Sequence, residues 1–306
     1  MLRLEDDVPE PAAKDGGVVV RVSHASVNPL DTYLREGAYT PAGLPMIPGV
    51  DVAGDVEAVG DGVAEYAPGD RVFGTGLGRG LPGTFAEYVW CPVDRLAHLP
   101  DDVPLDVAGA TGNVAVTAYD VLFDHAGLRP GETCLVHGGN GGVGHVAVQL
   151  ANSFGATVVA TARPAYHDQL RELGADVTLD YRRDDLGEAV VAATAGVDVV
   201  LDQHLDTYLQ FDLDVGAPGV RIVSIGGRGG EVTDAAAARG KDATVSFTSL
   251  FNIPDLSPIL DRLAGLLAAG DLRIEIARTY DLSEAAAAHQ AVIGDSYLGK
   301  LGVTVR

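Results

Sequence analysis

The stretch Val136-His137-Gly138-Gly139-Asn140-Gly141-Gly142-Val143-Gly144 carries glycines at the spacing G-x-G-x-x-G, in Gly139, Gly141 and Gly144. Glycines so spaced let a chain turn tightly and bring backbone N–H groups up to a phosphate. A helix that opens there adds a partial positive charge. A loop that holds a dinucleotide pyrophosphate is often followed, about 20 residues on, by an acid that binds the ribose hydroxyls. Here the sequence runs Ala160-Thr161-Ala162-Arg163 instead. A carboxylate would repel a 2′-phosphate and a guanidinium attracts one. The chemistry implied is a dinucleotide site that favours NADPH over NADH, with Arg163 as a solvated loop cation as the plainer alternative.

Other familiar constellations are missing. The chain has no HExxH, no Cys/His cluster and no GxSxG. Its eight histidines are scattered, and each reads as structural rather than as a metal ligand, His137 as a shaper of the glycine turn. Asp70-Arg71, after Pro68-Gly69, reads as a turn and the start of a strand. Cys91 and Cys134 form no CxxC pair and read as buried small hydrophobes.

The phosphate loop needs a strand before it and a helix after it, and the pattern supplies both. Thr133–Val136 reads as a strand, Val143–Phe154 as a helix and Ala156–Thr161 as the next strand. The alternation continues through a helix at His167–Leu173 and strands at Asp176–Leu179, Val197–Asp202 and Val220–Ile225, so a doubly wound parallel sheet is expected. Before it, a helix is expected over Leu105–Ala126. Residues 1–110 read as short strands at Val18–Val22, Asp51–Val59, Arg71–Phe73 and Phe85–Val89. Gly and Pro turns separate them, as in a compact barrel. A helix at Leu256–Ala269 and a β tail at Leu301–Val305 close the chain.

Composition sets outer limits. The chain has 306 residues, 47% of them hydrophobic and only 6% aromatic, enough for two packed domains. Lys plus Arg is 21 against 43 Asp plus Glu, a net charge of −22, with 31 of the acids Asp and only three Lys. Such a charge disfavours nucleic acids and anionic membranes as partners. Asp-rich, Lys-poor surfaces suit concentrated salt, where screening removes self-repulsion, so a halophilic source is expected. No apolar run approaches the ~18 residues of a membrane span and the first residues do not read as a signal peptide, which makes a cytoplasmic location the expectation.

Further motifs narrow the reading. Ala25-Ser26-Val27-Asn28-Pro29-Leu30-Asp31-Thr32-Tyr33, Pro48-Gly49-Val50-Asp51-Val52-Ala53-Gly54, Pro68-Gly69-Asp70-Arg71-Val72, Thr117-Ala118-Tyr119, the glycine loop, Gly226-Gly227-Arg228-Gly229 and Leu298-Gly299-Lys300-Leu301 occur in this order. Together they resemble the medium-chain dehydrogenase/reductase superfamily over nearly the whole chain. Its zinc-free, zeta-crystallin-like quinone reductases are the most similar branch, through Ser249-Leu250-Phe251 and the Gly-Arg-Gly turn. The resemblance implies an α/β fold: a GroES-like β-barrel catalytic domain, residues 1–114 and 251–306, plus a Rossmann dinucleotide-binding domain, residues 115–250. It also implies a homodimer, joined through the strand near Val245–Phe247. In the zinc-dependent branch a Cys ligand occupies the region of Asn28 and a Gly-His-Glu motif that of Gly49-Val50-Asp51. Neither is present here, so no metal is expected.

Carried over residue by residue, Asn28, Asp31, Tyr33 and Tyr39 would line the nicotinamide and substrate cleft, and Thr117 would touch the nicotinamide ribose. Asn140, Gly141, Gly142 and Val143 would hold the pyrophosphate. Arg163 and Tyr181 would face the 2′-phosphate. Ile225, Gly226, Gly227 and Arg228, then Ser249, Leu250 and Phe251, would flank the cofactor, with Asp206 and Lys300 also beside it. Asn140 replaces the usual Ser or Ala, and Asp206 puts a carboxylate where the branch tends to be neutral. The family has a further β-strand and turn before the equivalent of Leu2-Arg3-Leu4-Glu5, which implies a start upstream or a barrel lacking that edge strand. The activity implied is NADPH-dependent reduction of a quinone, with protonation from solvent. An NADPH-dependent enone or alkenal reductase and a non-catalytic cofactor-binding protein are the competing readings.

Overall fold

The computed structural model describes residues 2–38 and 43–306. The chain divides into two compact units, residues 1–116 with 253–306, and residues 117–252.

Among the described residues the first unit carries a seven-stranded sheet. Its strands are β1 (Gly17–Val27), β2 (Val52–Val59), β3 (Arg71–Gly74), β4 (Tyr88–Pro92) and β5 (Leu96–His98). The second unit holds β6 (Thr133–Val136), β7 (Thr157–Thr161), β8 (Val177–Leu179), β9 (Val197–Asp202), β10 (Gly216–Ser224) and β11 (Thr244–Phe247). The chain then returns with β12 (Ile276–Asp281) and β13 (Lys300–Thr304).

In the first unit the order is β12-β13-β1-β2-β3-β5, with β4 also on β1. β1 is the hub, and it is longer than its valine run because β2, β4 and β13 all pair with it. Val18, Val20 and Val22 pack with Val52, Val56, Val72, Leu77 and Leu96 into one core. The pairing of β1 with β13 places Val27 opposite Leu301, and so brings Asn28 near Lys300 across more than 270 residues of sequence.

Two expectations for this region are corrected. Phe85–Val89 is not one strand: pairing begins at Tyr88, and Phe85 donates its N–H to the Pro48 carbonyl and packs edge-on against His289. The helix over Leu105–Ala126 is broken into Leu105–Gly109, Gly112–Tyr119 and a π-helical turn at Asp120–His125. The break falls at Ala110 and Thr111, between two glycines that other backbones approach closely. A Cβ on Gly109 would lie 2.9 Å from the His24 backbone, and one on Gly112 would lie 2.6 Å from the Gly74 carbonyl oxygen. The break sets the Asn113 N–H on Asp51.

The second unit is an all-parallel sheet in the order β11-β10-β9-β6-β7-β8. Strand order reverses between β6 and β9. In such sheets that point, at the carboxyl ends of the strands, is where ligands bind. Leu135, Val159, Val200 and Ile222 pack with Leu205, Leu209 and Leu213 of the helix Leu205–Val215 in one apolar cluster. Cys91 and Cys134 are buried free thiols, and burial pushes Cys134 up to about 12.

Candidate active site and cofactor site

In the second unit the glycine loop links β6 to the helix Gly142–Ser153. Gly138 adopts φ +61°, and the Gly141 N–H closes the turn on its carbonyl at 2.8 Å. A Cβ on Gly144 would lie 2.2 Å from the same oxygen, so only glycine fits there. Asn140 to Val143 are half-buried at the opening of a 12-residue helix, whose first N–H groups and dipole favour an anion.

The other cofactor candidates of this unit gather on the same edge. Arg163 follows β7, is exposed, and donates from Nε to the Tyr181 hydroxyl at 3.2 Å. Tyr181 follows β8. Asp206 follows β9 and is exposed. Ile225 to Arg228 follow β10, where Gly227 takes φ +86° close to the Leu205 N–H. Ser249, Leu250 and Phe251 follow β11, the latter two in a 3-10 turn. Each lies beyond the carboxyl end of a parallel strand. Thr117 is half-buried on the helix Gly112–Tyr119.

Under the loop lie His137, read from the sequence as a shaper of the turn, and three partners that the sequence does not single out, Asp212, Tyr208 and Gln203. His137 is fully buried, donates or accepts at Nε2 with Asp212 Oδ1 at 2.8 Å, and is stacked on Tyr208 at 4.2 Å. Gln203 donates to the carbonyl oxygens of His137 and Gly138 at 2.7 and 3.3 Å. Burial holds His137 down at about 4, so the ring is neutral.

In the first unit a second polar cluster is built around Asn28, which precedes the helix Pro29–Arg35. Pro29 sets the first turn, and the Asn28 N–H donates to Asp31 Oδ2 at 2.8 Å. The Asn28 amide donates from Nδ2 to Asp51 Oδ2 at 2.8 Å and accepts at Oδ1 from Asn113 Nδ2 at 3.0 Å and from Lys300 Nζ at 2.5 Å. An ammonium has only donors, so this fixes which end of the amide faces Lys300. Asp51 also accepts from the Ser26 hydroxyl at 2.7 Å and the Asn113 N–H at 2.6 Å, and Lys300 Nζ stands 3.8 Å away. Burial pushes Asp31 up to about 7, with the Asp51 charge adding to the rise, and burial pulls Lys300 down.

The structure thus gathers Asn28 and Asp31 with Asp51, Asn113 and Ser26. Lys300, expected beside the cofactor, is 3% exposed and has its amine on Asn28 and the Val27 carbonyl. Tyr33 is 45% exposed on the same short helix as Asp31. Tyr39 lies outside the described residues. Asp51 sits in a recognisable motif, whereas the sequence carries no signal for Asn113.

Residues 14–101 match the alcohol dehydrogenase GroES-like domain family and residues 173–301 match the zinc-binding dehydrogenase family. Quinone oxidoreductase of Rattus norvegicus is 33% identical over 99% of this chain and 92% of its own length. A crystal structure of an NAD-dependent alcohol dehydrogenase superposes with a TM-score of 0.92 at 29% identity, covering 98% of this chain and 95% of that one. A mycobacterial protein complexed with NADPH superposes with a TM-score of 0.88 at 28% identity, covering 98% and 94%. The fold is the expected one, a GroES-like domain plus a Rossmann-like parallel sheet.

The family description raises zinc. Zinc takes Cys, His and carboxylate donors in tetrahedral sets. Among the described residues no group of three or more His, Cys, Asp or Glu side chains is placed to hold a metal ion. The cluster at Asn28 offers the carboxylates of Asp31 and Asp51 and two amides, with no His or Cys and with the Lys300 ammonium beside Asp51, a donor set that does not fit zinc. On motifs, fold and relatives together, the chain belongs to the medium-chain dehydrogenase/reductase superfamily of NAD(P)-binding oxidoreductases, among its quinone oxidoreductase-like members.

Proposed function

We propose that this chain reduces quinones with NADPH and requires no metal ion. The observation that carries the cofactor choice is Arg163: exposed just beyond β7, beside the Tyr181 hydroxyl, where an NAD site would place an acid. The likeness to quinone oxidoreductases supports the acceptor class.

When bound, the nicotinamide supplies a hydride. Arg163 and Tyr181 hold the 2′-phosphate, and Asn140 to Val143 with their helix N-terminus hold the pyrophosphate. Ile225 to Arg228, Ser249 to Phe251 and Thr117 flank the rest of the nucleotide. Asn28 keeps one amide N–H beyond those used by Asp51, and it donates to the acceptor oxygen where negative charge develops, together with Tyr33. Asp31 holds the Asn28 backbone. Protons for the reduced acceptor come from solvent.

Two further readings go with this one. The chain pairs with a second copy along the edge strand β11, where Phe247 is 69% exposed. It works in the concentrated salt of a cytoplasm that suits its −22 charge. No helix among the described residues is long and apolar enough to cross a membrane.

The test is NADPH oxidation by a simple quinone, in multimolar KCl and with a chelator present, beside a conjugated enone as a rival acceptor. Quinone turnover indifferent to chelator is the expected result. Turnover confined to the enone, or abolished by the chelator, contradicts the proposal.

A further inference from the structure

The second unit buries two carboxyl groups together. Asp202, at the end of β9, and Asp212, on the helix Leu205–Val215, both border His137: the His137 N–H donates to the carbonyl of Leu201, next to Asp202, at 3.1 Å and its ring meets Asp212, and the two carboxyls act on each other. Both are fully buried. One oxygen of each is accounted for: Asp202 Oδ1 accepts from the His204 N–H at 2.6 Å, and Asp212 Oδ1 meets His137 Nε2 at 2.8 Å. The other oxygen of each, Oδ2, is buried with no partner. Two carboxylate oxygens repel one another, and a single proton between them turns repulsion into a hydrogen bond that satisfies both.

The titratable groups facing the pair are His137, at the end of β6, and Tyr208, on the same helix as Asp212. Tyr181 in turn faces Tyr208. None of these is a cation when His137 is neutral. Burial raises Asp202 to about 6 and Asp212 well above the usual carboxylate range, and each carboxyl acts on the other.

Once a proton lies between the two Oδ2 atoms, every hydrogen bond beyond it has one direction. Asp212 Oδ1 is an acceptor, so His137 donates from Nε2. The neutral ring then has a bare Nδ1, which accepts from the Thr161 hydroxyl at 3.3 Å. The Thr161 oxygen accepts in turn from the Gly138 N–H at 3.2 Å, the first glycine of the phosphate loop. We propose that Asp202 and Asp212 share one proton, and that this proton, through neutral His137 and Thr161, positions Gly138 and the dinucleotide cradle that it opens. Loss of the proton leaves a second buried negative charge and two carboxylates that repel one another beside His137, so the support that His137 and Thr161 give Gly138 is strained although the direction of their hydrogen bonds is unchanged.

The proposal rests on the glycine loop as a cofactor site, but its first test does not. Infrared spectra at about pH 8, where ordinary Asp and Glu are ionised, should show the carbonyl stretch of a protonated carboxylic acid. That band should vanish in Asp212→Asn and persist in Asp31→Asn. No band in the native protein, or a band that persists in Asp212→Asn, overturns the shared proton.

The second test is the NADPH dissociation constant above pH 7, where the nucleotide's own 2′-phosphate (pKa about 6) has finished titrating. It should rise by up to about tenfold per pH unit once the proton leaves. In Asp212→Asn the amide nitrogen donates to Asp202 at every pH, so the profile should be flat. A flat native profile overturns the link to the cradle. An intact infrared band with no NADPH bound at any pH overturns the cofactor reading and leaves the shared proton standing.

Discussion

Both units bury acids, and they neutralise them in different ways. In the first, Asp51 has an internal cation, Lys300, with Asn28, Asn113 and Ser26 filling the remaining hydrogen-bonding positions. In the second, Asp202 and Asp212 face a neutral imidazole, and the arginine of that region, Arg163, stays exposed on the rim. The proposed function gives this difference a reason. A guanidinium drawn inward to balance Asp212 could not meet a phosphate. A proton balances the interior and leaves Arg163 free.

The sharpest way to break the comparison is to remove the internal cation. Lys300→Met leaves Asp51 buried without its counter-charge and the Asn28 oxygen without its ammonium, and should destabilise the protein by about 3–5 kcal/mol. Chemical denaturation measures it. A cost below about 1 kcal/mol would mean that Lys300 does not hold the first cluster together.

The rim cation should behave otherwise. Arg163→Ala should leave stability nearly unchanged and weaken NADPH binding by about 10–100-fold, the worth of a hydrogen bond to a charged group, with little effect on NADH. Equal losses for the two nucleotides would remove Arg163 from the 2′-phosphate site.

How far the sequence leads depends on sequence distance. The glycine loop and Arg163 are readable because strand, loop and next strand are consecutive, and Asn28 and Asp31 because they sit three residues apart around Pro29. The partners of Asn28 are not readable, since Asp51, Asn113 and Lys300 arrive 23, 85 and 272 residues away. The same holds for His137 and Asp212, 75 residues apart. His137 reads as a shaper of its own turn, and the structure adds that it does so from beneath, through Thr161. The helix break at Gly109 and Gly112 is hidden for the same reason: the backbones that crowd those glycines come from β1 and β3.

A smaller effect sharpens the first cluster. The Asp31 pKa is raised in the fold, from an ordinary 3.8 to about 7, mainly by burial. Its contribution to stability is therefore complete below the unfolded value and is lost as pH rises through about 7. The unfolding free energy should fall between about pH 4 and pH 7, and fall less in Asp31→Asn. Parallel profiles for the two proteins would place the pH dependence elsewhere.

The smallest expected effect concerns Asp206, an exposed carboxylate on the proposed cofactor edge. Asp206→Asn should tighten NADPH binding by about 2–5-fold at low salt and leave it unchanged in molar KCl, because exposed charges are screened. An effect that survives high salt would mean direct contact rather than a long-range field.

The most direct measurement is the ratio of kcat/KM for NADPH to that for NADH, with one quinone acceptor in multimolar KCl. A metal-free reductase with Arg163 on the 2′-phosphate should prefer NADPH by about tenfold or more. A ratio near one, or a preference for NADH, would contradict the account.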